Sequence, residues 1–492
     1  MKDLKEKTLR GGVARLCSLG ADFLLRILSV MILARLLAPK DFGLVGMVTA
    51  FTGVLGLFRD FGLSAAAIQR ETVTDEQIST LFWINLAFGT ILAILAFAMA
   101  PVIATFYREP RLFGVTAVLS LGFLFNSAGV QHGAMLQREM RFTALSVIGT
   151  LGSFVGTLIA IAGALAGYGY WSLVAMTVAT PLIITLGVWL ATSWIPGLPR
   201  RRAGVRSMMR FGGTVSLSGL LIYVATNLEK VLLGRFWGAD ALGIYGRAYQ
   251  LNNLPTANLN STAGEVAFAA LSRLQGAPSR FKNYFLKGYS LVLAFTLPIT
   301  IACALFANDV VFVLLGPKWK EAIPIFRLLT PTILVFAIVN PLGWLLSALG
   351  LVGRGLKIAL VITPLMIASY ILGLPYGPKG VAFAYSAVMI LWIIPAILWC
   401  VHGTMISFLD ILHVIIRPVA SIVPAAGLAF GVGRFFGQAL SPLPRLVLEC
   451  AVLLITYAGV LLFVAGQKSF YLELLRGLIG PLPAKEKVSV ST

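Results

Sequence analysis

A chain of 492 residues that is 58% hydrophobic and only 12% charged is too apolar for a soluble protein, since soluble domains average about 45–50% apolar and about 25% charged residues. Its 39 Lys and Arg residues against 19 Asp and Glu give a net charge of +20. Basic residues of membrane proteins collect in cytoplasmic loops, so this excess does not predict a nucleic-acid partner. The composition predicts a polytopic membrane protein instead.

Continuous apolar runs fill almost the whole sequence. A hydrocarbon core about 30 Å thick needs about 20 apolar residues per helix, and these runs do not alternate as the strands of a closed barrel do. We therefore predict an all-α polytopic membrane protein of about fourteen transmembrane helices. The predicted spans are 13–37, 42–66, 80–106, 112–136, 142–166, 169–194, 209–235, 243–268, 284–306, 323–348, 356–374, 380–402, 413–436 and 443–466.

The loops between these spans set the predicted orientation. With the N-terminus placed inside, about 24 basic residues fall on the cytoplasmic side and about 11 outside. This asymmetry predicts that both termini are cytoplasmic and that the number of spans is even. The amphipathic stretch Asn308–Lys320 is expected to lie at a membrane surface rather than to span.

The sequence contains an internal repeat at an offset of 200. The matched residues are Leu33-Ala34-Arg35 with Leu233-Gly234-Arg235, Gly43 with Gly243, and Gly46 with Gly246. The repeats are an even number of helices apart, so they have the same orientation, and such transporters place their substrate between the halves. We predict six-helix lobes at 1–200 and 201–402, two additional helices in 403–466 and a cytoplasmic tail at 467–492.

Charged residues inside the predicted spans are candidates for function, because a charge in the bilayer usually faces a cavity or a partner. Arg26 lies four residues from Asp22, which is consistent either with an intrahelical ion pair or with an Arg-lined cavity that binds an anionic group. Arg59 is a further candidate, although snorkelling also explains it. Lys230 is the third candidate cation, and a structural ion pair explains it at least as well.

Three acidic residues in the same helices are candidates for energy coupling. Asp22, Asp60 and Glu229 could each exchange a proton or bind a cation during transport. Structural pairing with a neighbouring cation is the alternative for each of them.

The span 243–268 is too polar to face lipid. A polar helix at membrane depth is expected where it lines a wet cavity, and a proline within it frees a backbone carbonyl and bends it. The span 323–348 repeats the pattern more weakly. The candidate cavity residues are Arg247, Tyr249, Asn253, Asn258 and Arg327, and the candidate hinges are Pro255 and Pro341.

Sequence motifs for catalysis, nucleotides or metals do not occur. The sequence has no Walker A motif, no G-x-G-x-x-G, no H-E-x-x-H and no Cys/His cluster. Its connections are about 15 residues at most, too short for a soluble catalytic domain. We therefore predict a transporter without cofactor or metal rather than an enzyme.

Several motifs in order resemble the polysaccharide transporter family of the multidrug/oligosaccharidyl-lipid/polysaccharide exporter superfamily. The resemblance covers about residues 1–400. It rests on Ala34–Gly43, Phe58–Arg70, Leu136–Phe142, Gly167–Val174, Leu242–Tyr245 and Leu315–Trp319.

The resemblance implies flipping of undecaprenyl-diphosphate-linked oligosaccharide repeat units across a bacterial inner membrane by alternating access, for O-antigen, capsule or exopolysaccharide. The pattern is most similar to the exopolysaccharide branch, which includes succinoglycan-type exporters. The implied partners are the lipid-linked substrate, membrane lipids, a polysaccharide polymerase and chain-length or export proteins. The alternatives are a drug/cation antiporter of the same superfamily and a membrane-bound polymerase or ligase.

Overall fold

The structure is a computed structural model that describes residues 20, 23–57, 74–199, 206–464 and 466–468. Within these ranges, the side chains of 206–222, 225, 256–263, 265, 266, 269 and 438 fall outside the description. The described residues form helices joined by short turns, with no strand among them. This confirms the predicted all-α class.

Sixteen helices follow one another in the described chain. Nine stretches of the described residues are long and apolar enough to cross a membrane, so the chain is a multi-pass membrane protein, while the number fourteen stays a prediction. In chain order the helices are α1 (23–36), α2 (Pro39–Gly56), α3 (Asp75–Ala98), α4 (Ala100–Tyr107), α5 (Arg111–Arg138), α6 (Phe142–Leu165), α7 (Tyr170–Thr192), α8 (Arg206–Arg273), α9 (Pro278–Leu305), α10 (Ala307–Leu314), α11 (Ala322–Leu329), α12 (Pro331–Ala348), α13 (Val352–Gly373), α14 (Gly377–Val401), α15 (Phe408–Phe435) and α16 (Pro442–Gly459).

Local chemistry explains where several helices begin and end. The Thr74 hydroxyl accepts from the backbone N–H of Gln77 at the start of α3, and Ser407 does the same for Asp410 at the start of α15. These are capping boxes, in which each side chain satisfies an otherwise unpaired N–H. The turn between α6 and α7 uses Gly167 and Gly169 at φ of +83° and +54°, a conformation that glycine adopts without steric cost.

The helical run α8 contains two predicted spans. We predicted separate helices at 209–235 and 243–268, and the structure has two helices that meet directly at a kink at Gly238, where φ is 81° and ψ is −178°. Only glycine reaches these torsions readily, so one residue replaces the predicted loop. The backbone keeps helical torsions through Pro255, and the predicted hinge role of that proline stays a prediction.

The packing divides the chain into two compact units. Unit 1 comprises 1–251, 311–329 and 357–389, and unit 2 comprises 252–310, 330–356 and 390–492. The predicted lobes 1–200 and 201–402 remain a prediction beside this division.

Two repeat-related glycines form a close helix crossing in unit 1. A Cβ added at Gly43 would overlap the backbone carbonyl of Ala239, and one added at Gly243 would overlap the backbone carbonyl of Pro39. Residues 39 and 239 are themselves 200 apart, as are 43 and 243. Such reciprocal contacts are what a two-fold relation between equivalent segments requires. The crossing therefore supports the internal repeat in three dimensions.

Unit 2 has its own apolar core between α9, α15 and α16, which includes Leu297, Ile422, Leu453 and Tyr457. A charged pair joins α10 to α16 here, because Nε and Nη2 of the Arg445 guanidinium donate to the two carboxylate oxygens of Asp309.

The predicted hinge Pro341 lies buried within α12 of the same unit. A proline lacks the N–H of a helical hydrogen bond and disturbs the preceding turn. The Tyr289 hydroxyl donates to the carbonyl oxygen of Ile338, three residues earlier, over 3.1 Å. A side chain of α9 thus compensates a carbonyl in that disturbed turn, as membrane helices require.

Candidate functional site

A cavity of about 760 Å³ lies within unit 1, between α1, α5, α6, α7 and α8. Two of the predicted site residues, Arg26 and Arg247, line it together although 221 positions separate them in the sequence. No acidic side chain occurs among the described residues that line it. Its polar lining residues are Arg26, Ser29, Asn126, Ser153, Thr157, Thr177, Thr180, Arg247 and Gln250.

Arg247 is held in place by an aromatic stack. Its guanidinium carbon lies 3.8 Å from the centroid of the Phe42 ring, and its Nη1 donates to Oε1 of Gln250. The Phe42 ring packs in turn on Trp319 at 5.5 Å between centroids, and the Trp319 indole N–H donates to the carbonyl oxygen of Ala34 over 2.8 Å. Aromatic faces attract cations and leave guanidinium edges available for hydrogen bonding. The guanidinium group of Arg247 is therefore held at the cavity wall by Phe42 and Gln250.

Much of the uncharged polar lining of the cavity consists of hydroxyl groups. Ser153 and Thr157 stand one turn apart on α6, and Thr177 and Thr180 stand on α7. Pro181 has no N–H to bond the carbonyl of Thr177, which adds a free backbone acceptor near the cavity wall. Donors and acceptors of this kind suit a ligand that carries many hydroxyl groups.

The two helices that carry these hydroxyls pack closely. A Cβ added at Gly156 would overlap the Thr180 side chain, and one added at Gly152 would overlap Ile184. Small residues let membrane helices approach in this way. This close approach of α6 and α7 fixes the relative positions of the hydroxyl groups that the two helices contribute to the cavity lining.

A second polar cluster in unit 1 surrounds Glu229. Its side chain is 1% exposed, and neither carboxylate oxygen has a hydrogen-bond partner among the described residues. The neighbouring Lys230 ammonium donates to Oδ1 of Asn227 over 2.6 Å and lies 5.8 Å from the Tyr249 ring centroid. The Tyr245 and Tyr249 rings stack at 6.1 Å. The predicted residues Glu229, Lys230 and Tyr249 thus belong together, but they lie outside the cavity lining.

Two further predicted residues that the structure describes, Arg327 and Asn253, are not among the residues that line the cavity. Arg327 is exposed on α11 of unit 1, and Asn253 is half-buried on the part of α8 that belongs to unit 2. The side chain of Asn258 is not described. Asp22, Arg59 and Asp60 lie outside the described residues.

Sequence reasoning missed most of the uncharged lining. Asn126, Ser153, Thr157 and Thr180 were not singled out, because isolated hydroxyl and amide residues are common in membrane helices and often bond their own backbone. The i, i+4 pair of Ser153 and Thr157 and the proline after Thr180 were the available signals. Neither is specific without knowing which helices meet.

A family model described as "Polysaccharide biosynthesis protein" matches residues 32–324, more than half of the chain. The chain belongs to this polysaccharide biosynthesis protein family. The match confirms the resemblance that the sequence motifs indicated.

Named relatives of this family member extend the comparison. The lipopolysaccharide biosynthesis protein WzxC of Escherichia coli (strain K12) is 27% identical over 399 residues, which cover 79% of this chain and 80% of WzxC. The teichuronic acid biosynthesis protein TuaB of Bacillus subtilis (strain 168) is 30% identical over 304 residues, 59% of this chain and 61% of TuaB.

A solved structure shares the fold of this family member. The lipid II flippase MurJ in an inward closed conformation superposes with a TM-score of 0.73 at 13% identity, covering 95% of this chain and 100% of MurJ. At this identity the likeness concerns the fold alone. It confirms the all-α fold.

Proposed function

We propose that this chain moves lipid-linked oligosaccharides across a membrane for polysaccharide biosynthesis. Membership of the polysaccharide biosynthesis protein family and the names of its relatives support this function. We further propose that the substrate is an undecaprenyl-diphosphate-linked repeat unit and that the membrane is the bacterial inner membrane, with both chain termini in the cytoplasm.

The observation that carries the proposal is that Arg26 and Arg247 line the same cavity and that no acidic residue occurs in its described lining. A lipid diphosphate carries negative charge, and guanidinium groups match phosphate oxygens with two donors at once. A drug/cation antiporter would instead need an anionic site for its cationic substrates. The lining thus favours an anionic substrate.

The hydroxyl and amide residues of the same cavity suit the sugars. Sugars keep their hydroxyls hydrogen-bonded at every stage of transfer, since an unpaired polar group in an apolar medium is costly. Ser153, Thr157, Thr180 and Asn126 supply both donors and acceptors. In the proposed mechanism the substrate passes through unchanged, so the chain acts as a carrier rather than an enzyme.

We propose Glu229 as the coupling group. A carboxylate buried without a hydrogen-bond partner is costly, and binding of a proton or a cation removes that cost. Its burial and its lack of a partner among the described residues support the assignment. We further propose that a polysaccharide polymerase and chain-length proteins act on the transported repeat units.

The decisive experiment deletes the gene in its host and labels lipid-linked sugars separately on each face of the inner membrane. Deletion should leave repeat units on the cytoplasmic face and abolish surface polymer. Complementation with Arg26→Ala or Arg247→Ala should restore less than about a tenth of the transfer, since each removes a charged partner of the phosphate. Arg26→Lys keeps the charge and should restore more.

Arg434→Ala is the matched control, because Arg434 is an exposed arginine of α15 outside the cavity. It should complement fully. If repeat units reach the outer face normally in the deletion strain but stay unpolymerised, the chain is a polymerase or assembly factor. If drug efflux is lost while polymer persists, the antiporter alternative takes the place of this proposal.

A further inference from the structure

A second hollow, the unit 2 basin, lies between α9 and α15 and is far from the cavity residues in sequence. Its volume is about 500 Å³. About two turns of each helix contribute to it, from Asn283 to Ser290 on α9 and from Asp410 to Arg417 on α15, and Gly466 and Gln467 complete the lining. These residues lie in the N-terminal half of both helices.

The basin has an excess of positive charge. Lys287 and Arg417 line it, together with the imidazole of His413. The one acidic residue among the described lining, Asp410, is already paired, since one carboxylate oxygen lies 2.7 Å from the Lys282 ammonium. The same carboxylate accepts from the Ser407 hydroxyl and backbone N–H at 2.8 Å each. The described lining therefore contains two cationic side chains, Lys287 and Arg417, and one carboxylate that already has a cationic partner.

A buried amide is part of the lining of the basin. Gln467 is 8% exposed, and its Oε1 has no hydrogen-bond partner within the described part of the chain. Ser290, 5% exposed, lines the hollow beside it. A buried polar group without a partner is rare in a stable protein and indicates a bound water, ion or ligand. An amide can turn either its oxygen or its NH₂ toward such a ligand.

The depth of the basin in the membrane identifies the ligand. Lys287 is the last charged residue of α9 before the uncharged run 288–305, and Arg417 is the last before the uncharged run 418–433 of α15. The boundary between charged turns and apolar runs marks the level of the lipid head groups. Cations at that level meet lipid phosphates first.

We propose that the unit 2 basin binds the phosphate group of a lipid, in a site separate from the Arg26 and Arg247 cavity. Lys287 and Arg417 bind the phosphate oxygens, and the buried side chains of Gln467 and Ser290 hydrogen-bond the same group. A lipid phosphate can come from an anionic membrane phospholipid or from a polyprenyl diphosphate. The site itself does not depend on the function proposed above.

Native mass spectrometry of the purified full-length protein tests the site. The probes are phosphatidylglycerol, undecaprenyl diphosphate and, as a zwitterionic comparison, phosphatidylcholine, each titrated into the same detergent. A Lys or Arg near an anionic lipid contributes about fivefold in affinity, so Lys287→Ala with Arg417→Ala should weaken the tightest-binding lipid about 25-fold. Arg434→Ala removes an exposed arginine from the other end of α15 and should change nothing.

Gln467→Glu provides an independent variant that keeps both cations and places a carboxylate against the phosphate. It should produce a loss similar to that of the double variant. Loss with phosphatidylglycerol and undecaprenyl diphosphate alike identifies a membrane phospholipid site, and loss with undecaprenyl diphosphate alone identifies a polyprenyl site. Equal binding by wild type and both variants, or equal affinity for phosphatidylcholine, overturns the proposal. Because binding is read without transport, this outcome is separable from failure of the flippase proposal.

Discussion

Alanine at Gly243 is expected to push apart the two helices that cross at residues 43 and 243. The added Cβ would overlap the backbone carbonyl of Pro39, and a backbone atom cannot rotate out of the way as a side chain can. Optimal contacts lie at about 3.5–4.0 Å, so the helices must separate by more than about 1 Å. Overpacking of this kind costs about 1–3 kcal/mol. Gly43→Ala meets the carbonyl of Ala239 in the same way and should cost a similar amount.

The repeat supplies its own controls one turn further along. An added Cβ at Gly246 meets no atom within 4 Å, and one at Gly46 meets only the Leu242 side chain at 3.6 Å. Alanine is favoured over glycine within a helix by up to about 1 kcal/mol. Gly246→Ala should therefore stabilise the protein slightly, and Gly43→Ala and Gly243→Ala should destabilise it, although the chemical change is identical.

Thermal unfolding of the purified alanine variants of Gly43, Gly243, Gly46 and Gly246 in one detergent measures this difference. The double variant Gly43→Ala with Gly243→Ala should cost less than the sum of the single variants, because one separation of the helices relieves both overlaps and neighbouring sites couple. Equal melting temperatures for Gly43→Ala and Gly246→Ala would refute the close crossing. Strict additivity would refute the reciprocal contact.

The remaining predictions concern charged groups. Asp309→Asn should lower the free energy of unfolding by about 3 kcal/mol because it leaves the partly buried Arg445 without its carboxylate, as denaturant titration would measure, and equal stability to wild type would contradict this pairing. Glu229→Gln should keep the fold yet remove the dependence of transport on an ion or pH gradient, measured by lipid transfer in vesicles with and without the gradient, and an unchanged dependence would exclude the assignment. The Arg111 side-chain hydrogen bond lowers the pKa of Glu109 below its ordinary value of 4.5, so this exposed pair stabilises the fold above that value and is lost as the pH falls through the folded-state pKa. Glu109→Gln should therefore lower the free energy of unfolding at neutral pH by less than about 1 kcal/mol and weaken the acid dependence of the melting temperature, and a variant with an unaltered acid dependence would show that the pair contributes nothing.

The fold was accessible from the sequence wherever local chemistry decides structure. Apolar length predicted the all-α, multi-pass class, and the Gly167–Gly169 turn lies where two positive-φ glycines join α6 to α7. The length of the connection between the two helices of α8 was not accessible. A short polar segment normally indicates a loop, and only the surrounding packing determines that Gly238 alone absorbs the change of direction.

The site was accessible only in part, for a related reason. A buried charge is expensive in lipid, so Arg26, Arg247 and Glu229 stood out as residues without knowledge of their neighbours. The hydroxyl residues of the cavity and the uncharged polar residues of the unit 2 basin did not stand out, because a single uncharged polar side chain costs little free energy in a membrane helix. Their significance comes from helices that meet from distant parts of the chain, as residues 283–290 and 410–417 do.

The segment 245–250 of α8 bears on how the two clusters of unit 1 could act together. Successive helical residues are rotated by about 100°, so Tyr245 and Tyr249 share one face while Arg247 and Gln250 lie on nearly the opposite face. The first face stacks within the cluster around Glu229, and Tyr249 shares a hydrogen bond with Tyr385. The second face lines the cavity. Binding of a proton or cation at Glu229 can favour one transport state only by interacting differently with the two states. A rotation or shift of this one helical turn changes both environments at once, which gives the proposed coupling a physical route without contact between cation and substrate.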